Sequence, residues 1–137
     1  MVTKEIRELL KQAITDLSIA EYEINRPTRD SVTLSACLCA RQSMKSMMRL
    51  FLLTHSINHN ESTSLKELIN QCIQVDKQFA SIDISNINCS ELNHAACDGM
   101  YCLSLENVSD CIGAGNKMKA IVLDNLRINE REMYATR

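Results

Sequence analysis

Apolar residues near the start of the chain recur three or four apart: Ile6, Leu10, Ala13, Leu17, Ala20 and Ile24, with Leu9 and Ile14 beside them. That is the spacing of one helical face, and it predicts a first helix from Thr3 to about Ile24. Thr3 is placed to cap it, Glu5 lies near the positive end of its dipole, and Pro27 closes it. From Asp30 to about His55 the pattern changes. Leu34, Ala36, Cys37, Leu38, Ala40, Met44, Met47, Met48, Leu50, Phe51, Leu52 and Leu53 fall on nearly every side of a second helix. A helix apolar almost all round is central. It either lies deep in a bundle or divides its faces between the domain and a partner.

Ile57–Thr63 is polar and reads as a loop. Ser64-x-x-Glu67 has the capping-box form and opens a third helix through Leu65, Leu68, Ile69, Cys72 and Ile73 to about Phe79. Ser81–Asn88 alternates briefly, but a lone strand has no partner, so a loop is expected there. Ser90 or Asn88 caps a short helix that stops at Gly99. The last long helix runs from Ser104 to about Glu130. Its face is Leu105, Val108, Ile112, Gly115, Met118 or Lys119, Val122 and Leu126. Gly113 and Gly115 lie inside it at ~1 kcal/mol each against Ala, and close approach of another helix is the expected return. The tail Arg131–Arg137 should fray.

Composition narrows this further. A chain of 137 residues is one domain, here residues 1–130 plus the tail. Three Gly and one Pro are too few turn-formers for a sandwich or barrel, so the expected fold class is all-α. Forty-five per cent apolar and 23% charged residues are the globular mix. A net charge of −2 excludes a polybasic coat and an acidic tail, though not a local basic patch. With five aromatic residues, the core must be mostly aliphatic, Met and Cys.

There are seven cysteines. The first residues carry charges where a signal peptide needs an apolar run, and the longest aliphatic-aromatic run is Leu50–Leu53. The expectation is a cytoplasmic protein with no membrane segment and with reduced, buried thiols, Cys37, Cys39, Cys72 and Cys111 among them. Zinc is not expected. No C-x-x-C occurs, and the spacings in Cys89-x4-His94-x2-Cys97-x4-Cys102 are too wide for a knuckle. Glu91-x-x-His94 is one pair where a di-iron bundle needs two, so it reads as a surface pair. No metal and no cofactor is expected.

Two arrangements could carry chemistry. Arg41, Lys45 and Arg49 are spaced i, i+4, i+8 on the second helix, with Gln42 and Ser46 beside them. Such a stripe is either a solvated edge paired with acids such as Asp16, Glu21 and Glu23, or a site for phosphate or nucleic acid. The structural reading carries more weight. Arg49-x5-His55 has the form of a metal-independent ribonuclease pair, in which His moves the 2′-hydroxyl proton and Arg holds the phosphate charge. Residues six apart on a helix lie ~120° off, however, and a His at a helix end also suits the dipole. Gly113-x-Gly115 lacks the third glycine and the preceding strand of a phosphate loop.

Leu10-x2-Ala13-x3-Leu17-x2-Ala20, followed by ACLCARQSMKSMMRLFLL (Ala36–Leu53), resembles the HEPN domain family. Gln42 matches the family's Gln, and Arg49 stands where a later Lys is usual. Lys45 and Ser46 depart from its Glu-Lys, and Thr63-Ser64-Leu65 lacks its His. The resemblance covers most of residues 5–126. It implies an antiparallel bundle of four to five helices with up-down topology, usually a homodimer. Catalytic members carry Arg-x4–6-His, commonly with a polar residue after the Arg and nearer the last helices. Here Leu50 follows Arg49, and no His follows Arg127 or Arg131. The resemblance therefore implies a degenerate, non-catalytic member. Other members act with a nucleotidyltransferase partner in toxin–antitoxin-like pairs or bind nucleotides. The expected function is a binding or regulatory module, a homodimer acting with such a partner or binding nucleotide or RNA. The alternatives are a ribonuclease using Arg49 and His55 and a small-ligand helical sensor with no nucleic-acid role. The dimer also follows from the surplus apolar faces of the second helix, where Met44, Met47 and Met48 suit an adaptable contact.

Overall fold

The computed structural model describes residues 3–26, 33–57, 64–82 and 105–127, and all regular structure among them is helical. Helix α1 is Lys4–Ile24. Thr3 caps it, its Oγ1 accepting the Ile6 N–H at 3.2 Å. The helix buries Ile6, Leu10, Ala13, Ile14, Leu17 and Ala20, the face that the spacing predicts. Ile24 is only half-buried.

Helix α2, Thr33–Thr54, is the centre of the fold and packs on every other α-helix, most extensively on α1. The two run antiparallel. Ala13 lies at Ser43, whose Oγ donates to its carbonyl at 2.6 Å, while Cys39, a turn earlier on α2, lies near Asp16 and Glu23. Ala13, Ala40 and Ser43 are small, which lets the two backbones approach. The end of α2 is closed by a Schellman arrangement: Ile57 N–H donates to Leu52 O and Ser56 N–H to Leu53 O, with Ser56 at φ 59°.

Helix α3, Leu65–Val75, opens on the capping box. Ser64 Oγ accepts the Glu67 N–H at 3.2 Å, and Glu67 Oε1 accepts the Ser64 N–H at 3.1 Å. The helix stops at Val75 rather than about Phe79. Asp76 turns to an extended backbone, and its carboxylate accepts the Gln78 N–H at 2.9 Å. That local bond competes with helix continuation and starts a 3-10 segment, Lys77–Ser81. Phe79 still reaches the core, its ring 4.7 Å from that of Phe51.

Helix α4 is Leu105–Leu126. It buries Val108, Cys111, Ile112, Ala114, Gly115, Met118, Ile121 and Val122, so Met118 and not Lys119 faces inward. Only one of its glycines serves a close approach. A Cβ on Gly115 would lie 2.9 Å from Leu17 Cδ1, whereas one on Gly113 would meet nothing within 4 Å. Two residues apart on a helix is ~200° of rotation, so both could not face the same neighbour.

Met44, Met47, Met48, Leu50, Phe51 and Leu52 have no exposed surface. The chain's own helices therefore cover most of α2, and among its described side chains the large exposed apolar ones are Leu38 and Leu53. Cys37, Cys72 and Cys111 are buried and Cys39 is half-buried, all four as free thiols. Cys89, Cys97, Cys102, Glu91, His94, the short helix ending at Gly99, nearly all of the loop expected at Ser81–Asn88 and the tail lie outside the described residues.

Candidate functional site: a basic groove between the first two helices

Residues of α1 and α2 together line a groove of about 520 Å³. Its α2 wall is Leu38, Arg41, Gln42, Lys45, Ser46 and Arg49, and its α1 wall is Gln12 and Asp16. The α2 positions repeat at three and four residues, so one stripe of the helix lies along the groove for about 16 Å at 1.5 Å per residue. All three cations of the expected stripe line it. Arg41 is the most deeply set, at 3% exposure, and is one of the two buried polar or charged residues among those described. Lys45 and Arg49 are half-buried.

Each of the three cations interacts with neighbouring groups. Of the three acids expected to pair with the stripe, only Asp16 lines the groove. Its Oδ1 accepts from Gln12 Nε2 at 3.1 Å, and burial pushes its carboxyl above the ordinary range against that hydrogen bond. Glu21 instead accepts from Asn116 Nδ2 at 2.9 Å, tying α1 to α4. Glu23 pairs with Arg26 at 3.2 Å. Pairing across helices depends on how each helix is rotated about its axis, which the spacing within one helix does not specify.

Arg49 and His55 are not brought together. Arg49 lines the groove. His55 lies just past the end of α2, with its ring 4.7 Å from that of Phe51. Phe51 is two residues from Arg49, ~200° round the helix, and faces Phe79 on the opposite side of α2. His55 is also close enough to Asp76 to help hold that carboxyl below its usual range. The largest cause there is the Gln78 N–H, followed by the hydrogen bond from Asn125.

The sequence pattern did not single out Gln12 as a groove residue. A polar pair at i, i+4 with Asp16, set beside an apolar face, is the signal it carries. Among the described residues no group of three or more His, Cys, Asp or Glu could hold a metal ion, and no helix is long and apolar enough to cross a membrane. Comparison with protein-family models, curated proteins and solved structures finds no significant match for this chain.

Proposed function

We propose that this chain is a non-catalytic helical binding module that takes an anionic, phosphate-bearing ligand in the α1–α2 groove. One observation carries the reading: Arg41, Lys45 and Arg49 line a single concave space together with the neutral donors Gln12, Gln42 and Ser46. Guanidinium and ammonium groups supply charge-assisted hydrogen bonds to phosphate oxygens. The groove's volume falls in the range of small-molecule sites, roughly 300–1,000 Å³. The pairing of an Arg at low exposure with two more accessible cations also resembles an anion subsite more than a solvated helix edge.

The ribonuclease alternative draws less support. Its chemistry needs Arg49 and His55 on one phosphate, whereas Arg49 lines the groove and His55, past the end of α2, packs its ring on Phe51. Membership of the HEPN family, a homodimer and a nucleotidyltransferase partner belong to the same proposal and rest on the sequence resemblance. Among the described residues, Ile19, Tyr22, Leu38 and Leu53 are the large apolar side chains exposed for such contacts.

Calorimetric titration with inorganic pyrophosphate tests the reading. The expected result is saturable binding that is lost in a variant combining Lys45→Gln and Arg49→Gln. Absence of binding by pyrophosphate, AMP and RNA alike at millimolar concentration would overturn it. RNA cleavage by the pure protein that His55→Ala abolishes would establish the enzyme instead.

A further inference from the structure

We draw no further inference here: the strongest candidate, the surface patch on α1 where the apolar side chains of Ile19 and Tyr22 stand exposed one turn apart, carries none, because nothing in the structure shows what covers it.

Discussion

Two sides of α2 make opposite use of the same helical spacing. On the side facing α3, Met48, Phe51 and Leu52 are wholly buried, and Phe51 packs on Phe79. Polar groups on that side close on one another. Asp76 accepts from Gln78 N–H, Gln78 Nε2 and Asn125 Nδ2, and Lys117 Nζ donates to Ser81 O, so the 3-10 segment is tied to α4. On the other side, Arg41, Lys45 and Arg49 repeat at the same interval and line open space. Periodicity alone makes both stripes. What separates them is residue chemistry: one stripe is apolar and wholly buried, and the other is cationic, with Arg41 buried and Lys45 and Arg49 keeping part of their surface exposed.

The sharpest way to break this contrast is Phe51→Ala. The ring is fully buried between Phe79 and His55. Its removal should cost about 4 kcal/mol, the range for a large aromatic deleted from a core, read from the midpoint and slope of urea unfolding. A loss below about 1 kcal/mol would show that the α3 side tolerates repacking and is not the stabilising half.

Cys72 probes the same side with pH. Its Sγ lies against Met48 O at 3.9 Å, and burial pushes the thiol up to about 12 from an ordinary 9.0. The folded pKa is raised, so the buried thiol's contribution is fully present below pH 9.0 and is lost as pH climbs toward about 12. Each unit is worth about 1.4 kcal/mol. The wild-type protein should therefore lose stability more steeply over that window than Cys72→Ala does. Parallel slopes for the two proteins would contradict burial of the thiol.

Much of this architecture was legible in the sequence where a local rule governs it. Thr3 and the Ser64–Glu67 box cap their helices as written, because a cap depends only on residues three apart. The all-round apolar run from Ala36 to Leu53 marked α2 as central, and the i, i+4, i+8 cations marked one wall of the groove. Features set between elements were not legible. Asp16, Glu21 and Glu23 all offered themselves to the stripe, but helix rotation sent Glu21 to Asn116. Asp76 ended α3 early through a turn hydrogen bond, a signal that the apolar period extending to Phe79 outweighed. The separation of Arg49 from His55, by contrast, follows from a local rule, since residues six apart lie ~120° off round a helix, and His55 packs on Phe51 while Arg49 lines the groove.

The two glycines of α4 sharpen the contrast between contact and exposure within one helix. Gly115→Leu should destabilise by about 1–3 kcal/mol, because its Cβ would stand 2.9 Å from Leu17 Cδ1 and the rest of the side chain must displace Leu17 or Met44. Gly113→Ala meets nothing within 4 Å and should stabilise by roughly 0.5–1 kcal/mol through lower unfolded-state entropy. Thermal unfolding of both variants checks the pair. If both were neutral, α4 would not approach α1 as closely as Leu17 requires.

The smallest stability effect is expected on the groove side and decides what the stripe is for. Lys45 is half-buried and sits four residues from each of two arginines. Like charges at that interval repel by a few tenths of a kcal/mol each, so Lys45→Gln relieves two such repulsions while giving up the interaction that Lys45 makes. The net change in unfolding free energy should stay within about 0.5 kcal/mol, as for most substitutions outside a core. A charge that holds α1 to α2 behaves differently, since removing one member of a buried pair costs about 3–5 kcal/mol. Urea unfolding of Lys45→Gln separates the cases. A loss above about 1.5 kcal/mol would make the stripe part of the fold's own framework. A near-zero change, with pyrophosphate binding abolished in the same protein, would assign the charge to the ligand.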